Sequence, residues 1–99
     1  MNESLFDDLR KLPGVEVAPS QWTHEPAIWI EGREIVHAHA RWIEIRLTSK
    51  LINRLDDDRV LRRARTSDWV MVDQAERALI LDLASQAAAA NAAPARPSL

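Results

Sequence analysis

Between residues 27 and 47 the apolar side chains recur at every second position, the period of strands lying with one face on a core. Toward both ends of the chain the spacing lengthens to three and four, the period of helices. The central stretch, Gly32 to Leu47, reads as a turn followed by two strands. In the first strand Glu34, Val36, Ala38 and Ala40 alternate with Ile35, His37 and His39. In the second, Ile43, Ile45 and Leu47 point one way and Trp42, Glu44 and Arg46 the other. Only Ala40 and Arg41 connect the two strands. Neither favours the positive φ of a two-residue primed turn, so the turn is expected to borrow neighbouring residues.

The rest of the chain fits around this hairpin. Ser4 is a candidate cap for a helix over Leu5 to Leu12, whose stripe is Leu5, Leu9 and Leu12 with Phe6 beside it, and Pro13-Gly14 ends it. Val15 to Ala18 is a short strand. Pro19 to Pro26 reads as a loop or irregular edge, and Ala27 to Glu31 as a strand with Ile28 and Ile30 opposite Trp29. Glu31-Gly32-Arg33 is a turn in which Gly32 supplies positive φ. Thr48 caps a helix through about Leu55 that buries Leu51, Ile52 and Leu55, and Asp56 to Asp58 leave it as loop, because acidic groups oppose the dipole of a helix C-terminus. Arg59 to Arg63 and Asp68 to Val72 are two further strands. Asp73 and Glu76 form a capping-box-like start to a long helix with Ala75, Leu79, Ile80, Leu83 and Ala84 on one side. A single domain over residues 1–90 and a disordered tail over 91–99, with Pro94 and Pro97, complete the chain.

The predicted order is α-β-β-β-β-α-β-β-α. Strands joined by short turns pair antiparallel, so the fold class is α+β: two layers, with an antiparallel sheet of five or six strands and three helices mainly on one face. The helices are expected to cover Ile28, Ile30, Val36, Ile43, Ile45, Leu47, Val70 and Val72.

Composition excludes more than it assigns. Ninety-nine residues, 46% hydrophobic and 28% charged, are those of one ordinary globular domain. A net charge of −2 offers no global attraction to nucleic acid or to acidic membranes. The basic cluster Arg59, Arg62, Arg63 and Arg65 follows directly on Asp56 to Asp58, which can neutralise it, so nucleic acid is not the expected partner. Without cysteine there is no disulfide, thiolate nucleophile or cysteine metal site. An acidic N-terminus and the lack of a membrane-length apolar run make the expected location cytoplasmic.

What remains is the face the helices do not need. By alternation it carries Trp29, Ile35, His37, His39, Trp42, Glu44, Arg46, Trp69 and Met71. Large aromatic residues on an open sheet face mark contact with something. Three uses are open: a satellite core under the 19–26 loop with Trp22 and Trp29, a homodimer interface, or a small-ligand groove. His37 and His39 lie about 6.5–7 Å apart along one strand, and with Glu44 could converge on a metal. No further ligand is fixed by spacing, no nucleophile elbow or acid pair is present, and no cofactor is indicated.

Leu-Pro-Gly-Val at 12–15, Gly-Arg-Glu-Ile-Val-His-Ala-His at 32–39, Ile-Glu-Ile-Arg-Leu-Thr at 43–48 and Ser-Asp-Trp-Val at 67–70 resemble the small bacterial "luciferase family protein" domain. The resemblance covers all but the C-terminal tail and implies a compact α+β domain of unsettled activity, with no light emission implied by the name. It places Arg33, His37, His39, Glu44 and Trp69 in the family pattern. Longer relatives carry a paired histidine shortly before the tryptophan block, where this chain has Leu61 and Arg62. The expectation is a domain binding a partner subunit or small ligand through Trp29, Arg33, His37, His39, Trp42, Glu44, Arg46 and Trp69. A metal-dependent enzyme or metal-binding protein centred on His37 and His39 is the alternative.

Overall fold

The computed structural model describes residues 1–63 and 67–92. Its elements are α1 (Glu3–Leu9), β1 (Val15–Pro19), β2 (Pro26–Ile30), β3 (Arg33–His39), β4 (Trp42–Arg46), α2 (Ser49–Arg54), β5 (Leu61–Arg62), β6 (Trp69–Asp73) and α3 (Arg77–Asn91). The six strands form one antiparallel sheet in the order β1-β2-β3-β4-β6-β5. The α+β class, the element order and the antiparallel pairing are those the hydrophobic pattern predicts. No helix among the described residues is long and apolar enough to cross a membrane.

One face of the sheet is the core. Ile28, Val36, Ile45 and Val70 stand side by side across β2, β3, β4 and β6, with Ile43 opposite Val72 in the next row. Leu5 and Leu9 of α1 and Ile80, Leu83, Ala84 and Ala87 of α3 cover them, and all are essentially inaccessible. Leu51, Ile52 and Leu55 pack against the margin of this core half-buried, because α2 is too short to sink a full stripe.

Several local expectations are corrected. Asn2, not Ser4, caps α1: its Oδ1 accepts from the Ser4 and Leu5 amides at 2.9 and 3.2 Å, and the helix stops at Leu9, three residues short of Leu12. Asp73 and Glu76 make no capping box. Asp73 ends β6 and its Oδ1 accepts from the Ala75 amide, so α3 begins only at Arg77. Asn91, expected to open a disordered tail, is the last residue of α3. It is buried, and its Nδ2 donates to the carbonyls of Arg46 and Ala87 at 2.9 and 2.8 Å, tying the helix end to β4. Ala92 caps α3, and the remainder of the expected tail, 93–99, lies outside the described residues, as does Arg65 of the basic cluster. The Arg59 to Arg63 strand shrinks to Leu61–Arg62, because the Arg59 guanidinium is drawn into a surface clip with Asp57 and Glu76.

The two hairpins differ in strain. Glu31 and Gly32 both take positive φ, 49° and 76°, as a type I′ turn requires. Between β3 and β4 no neighbour is borrowed: His39 pairs with Trp42, and Ala40 itself takes φ 54°. Gln74 holds this turn, its Nε2 donating to the Ala40 carbonyl at 2.9 Å and its amide to that of Arg41 at 3.0 Å.

The central departure lies in β3. Ile28 pairs with Val36, but Trp29 pairs with Glu34, so one step along β2 matches two along β3, and Ile35 is the extra residue of a bulge. A bulge resets alternation. Ile35, predicted on the open face, joins Val36 in the core, and Glu34, predicted on the helix face, moves to the side of His37.

Candidate functional site

His37 sits at the middle of the sheet face away from the helices, only 2% exposed. Its cross-strand partner is Glu44, whose Oε1 is 2.6 Å from Nε2. On the other side, Glu34 brings Oε2 to 2.8 Å from Nδ1, without hydrogen-bond alignment. One imidazole thus lies between two carboxylates that are themselves buried, Glu34 at 0% and Glu44 at 4% exposure. A neutral ring has one N–H and one lone pair and can donate to only one of them. A ring with both protons, or a proton on a carboxyl, puts a hydrogen in each contact.

Glu34 does more than face His37. Its Oε2 accepts from the Ser20 hydroxyl at 2.6 Å and its Oε1 from the Gln21 amide at 2.8 Å. Ser20 Oγ in turn accepts from the amides of Trp22 and Thr23, and the Ser20 amide donates to the Glu25 carbonyl at 2.7 Å. A buried carboxylate therefore anchors the first turn of the 20–25 loop. That turn places Trp22 against His37, ring centroids 5.5 Å apart, and edge-on to Trp69 at 5.3 Å. Trp69 completes the enclosure at 4.8 Å from His37. The loop covers part of the aromatic face, as the satellite-core reading expects, but Trp22 keeps 49% of its surface in solvent.

Beside the covered imidazole a cavity of about 150 Å³ stays open, lined by Trp22, Thr23, His37, His39, Glu44 and Arg63. Two larger hollows lie elsewhere: one of about 260 Å³ beside the end of α3, lined almost wholly by apolar residues, and one of about 280 Å³ at the start of α1, lined by Met1, Glu3, Phe6, Glu25 and Pro26. Arg63 reaches over from the end of β5 with Nη1 3.8 Å from Glu44 Oε1, too far for a hydrogen bond. Among the described residues Glu44 Oε2 takes no hydrogen bond.

Four of the eight predicted site residues, His37, His39, Glu44 and Trp69, meet here, and Arg46 lies at their edge with its guanidinium 6.0 Å from the Trp69 ring. The other three do not join them. Trp29 Nε1 donates to the Ala18 carbonyl, Trp42 lies under the Arg41 guanidinium at 4.6 Å, and Arg33 is exposed at the hairpin end, paired with core residue Ile30. Missed by alternation were Glu34, moved by the bulge, and Ser20, Trp22, Thr23 and Arg63, which arrive from loops and a strand end. Glu34 alone left a signal: a carboxylate in register with Val36 on an apolar face is a conflict that a bulge resolves.

No family model, curated protein or solved structure matches the chain. What the site does is therefore read from its geometry. Nε2 of His37 is committed to Glu44, while Nδ1 lies beside Glu34 without an aligned hydrogen bond, and the ring is 2% exposed. Among the described residues no group of three or more His, Asp or Glu is arranged to hold a metal ion.

Proposed function

We propose that this chain is a small-ligand-binding domain whose site is the cavity over His37, walled by Trp22 and floored by Glu44. The observation that carries this reading is the buried Glu34–His37–Glu44 array beside an open cavity. Burying three ionisable groups gains a fold little over packed apolar residues, so their position next to a cavity points to recognition. Two of the blocks that resemble the luciferase-family domain, 32–39 and 67–70, supply Glu34, His37, His39 and Trp69, and membership of that family fits the reading. A cytoplasmic setting fits a chain without cysteine.

Binding is favoured over catalysis because His37 is bonded at Nε2 to Glu44 and closed over by Trp22 and Trp69, which leaves its ring 2% exposed. It is favoured over self-association because, of the large exposed apolar residues among those described, Val17 lies on edge strand β1, Leu61 on edge strand β5 and Trp22 over the centre of the sheet on His37 and Trp69. A subunit interface needs a contiguous patch.

The test is a ligand-observed NMR screen with small anions, cations, zwitterions and neutral fragments, run on the parent, Trp22→Ala and Glu44→Gln. Trp22 is half exposed, so its removal leaves the core intact. Binders should lose at least about tenfold in affinity in both variants, or ~1.4 kcal/mol. Binders unaffected by either change, or no binder of any class, overturn the reading, as does a native mass spectrum in which a dimer blocks Trp22.

A further inference from the structure

From the distribution of charge around the cavity we infer that its ligand is a small bifunctional acid, carrying a carboxylate together with an adjacent amine or hydroxyl: an α-amino or α-hydroxy acid. The inference rests on the proposed binding site and names the chemistry that site selects.

The walls are of opposite kinds. On one side stands Glu44, 4% exposed, with Oε1 committed to His37 and Oε2 without a hydrogen bond among the described residues. That second oxygen is not sealed away as an unsatisfied group but faces the cavity, where a donor on a ligand can reach it. On the other side stands Arg63, whose guanidinium donates to no described side chain and halts 3.8 Å short of Glu44, and the exposed imidazole of His39 lies with it on the lining. Arg63 presents a fork of donors suited to a carboxylate.

Each simpler ligand fails one wall. A lone anion satisfies Arg63 and confronts the Glu44 charge. A lone cation satisfies Glu44 and confronts Arg63. An apolar molecule desolvates both, and at 3.8 Å they are too far apart to hydrogen-bond each other. A molecule with an acid at one end and a donor on the next carbon satisfies the two together, its short carbon chain lying against Trp22. Size points the same way. A cavity of about 150 Å³ is several times the ~30 Å³ share of one liquid water and well under the ~300 Å³ at which drug-sized pockets begin.

Calorimetry with glycine, L-alanine, glycolate and L-lactate, against acetate, propionate, methylammonium and ethylammonium, decides it. At least one bifunctional probe should bind about tenfold or more tighter than both of its single-function counterparts. Arg63→Gln, a change at a half-exposed side chain, should erase that margin while leaving the unfolding midpoint unchanged. Acetate or methylammonium binding within threefold of the bifunctional probes, an undiminished margin in Arg63→Gln, or binders drawn only from other classes in the NMR screen all overturn the inference while leaving the binding site standing. Silence from every class removes both.

Discussion

Replacing Glu34 by alanine should cost about 3–5 kcal/mol, the range for removing one partner from a buried charged pair. The figure follows from what the carboxylate holds. It accepts two short hydrogen bonds, from Ser20 Oγ at 2.6 Å and the Gln21 amide at 2.8 Å, and each bond to a charged group is worth ~1.5–3 kcal/mol. It also faces His37 at 2.8 Å, and at 0% exposure no water replaces it. These terms share one carboxylate and do not add in full, which keeps the total near the lower sum. Against a stability of roughly 5–15 kcal/mol for a domain of this size, the loss is a large fraction. Glu34→Gln keeps the volume and one acceptor but turns an NH₂ toward a donor, and should cost about 1–3 kcal/mol. Urea unfolding followed by tryptophan emission measures both, with the m-value checked for constancy. The native emission of Glu34→Ala should also move to the red, since Trp22 loses the anchored turn that holds it on His37. A Glu34→Ala loss below about 1 kcal/mol, or an unshifted native spectrum, would refute the anchoring role.

Three further changes probe other parts of the fold. Ala40→Gly relieves a positive φ at the first position of a two-residue turn and should raise stability by about 0.5–1 kcal/mol, read as a higher melting temperature; a lower one contradicts the strain. Asn91→Ala removes the bond that ties the end of α3 to the Arg46 carbonyl of β4, together with one to the Ala87 carbonyl within the helix, and should cost about 1–2 kcal/mol in the same assay, with amide exchange in β4 near Arg46 rising. The Asp57 carboxyl is held down at about 2, against its ordinary 3.8, chiefly by the hydrogen bond from the Arg59 side chain and then by that from the Arg59 backbone amide. A depressed carboxyl contributes stability above its unfolded value and loses it as pH falls toward the folded one. The stability gap between the parent and Arg59→Gln should therefore be full at pH 5 and close by pH 2, and a gap independent of pH would show that the clip contributes nothing through Asp57.

Much of this fold was legible because period-two alternation survives wherever pairing is regular. Ile43, Ile45 and Leu47 went to the core and Glu44 to the open face, and His37 with Glu44 emerged as neighbours from adjacent strands. Trp69 followed for the same reason. Alternation fails at one inserted residue, and Ile35 is that residue: every position of β3 before it changes sides, which put Glu34 and Ile35 on the wrong faces. Capping was misassigned for a similar local reason. Asn2 and Ser4 are both good caps, and the choice between them is made by Phe6, whose amide donates the first helical bond to the Asn2 carbonyl at 2.9 Å. Trp22 was illegible as a site residue, since its place depends on Ser20 meeting a carboxylate fourteen residues away.

The bulge itself explains why the site is built this way. In a regular strand Glu34 and His37, three apart, point to opposite faces and cannot meet. With Ile35 inserted, the chain keeps apolar side chains at both 35 and 36 on the core and still returns Glu34 to the open face, where it reaches His37 and the 20–25 loop at once. A core-only design gains nothing from this: a bulge weakens the ladder, and three buried ionisable groups are at best neutral against apolar packing. The arrangement does set the imidazole between two carboxylates, bonded at Nε2, and press Trp22 over it, leaving Glu44 Oε2 and Arg63 as polar groups available at the cavity. Deleting Ile35 tests what the extra residue contributes. The deletion removes one fully buried side chain, worth about 1.5–3 kcal/mol, and leaves the Ile28–Val36 and Trp29–Glu34 pairs in a regular ladder with Glu34 still on the open face beside His37. A destabilised but folded variant that still binds is the expected outcome, and a folded variant that has lost binding would show that the local geometry of the bulge, beyond its choice of face, positions the carboxylate.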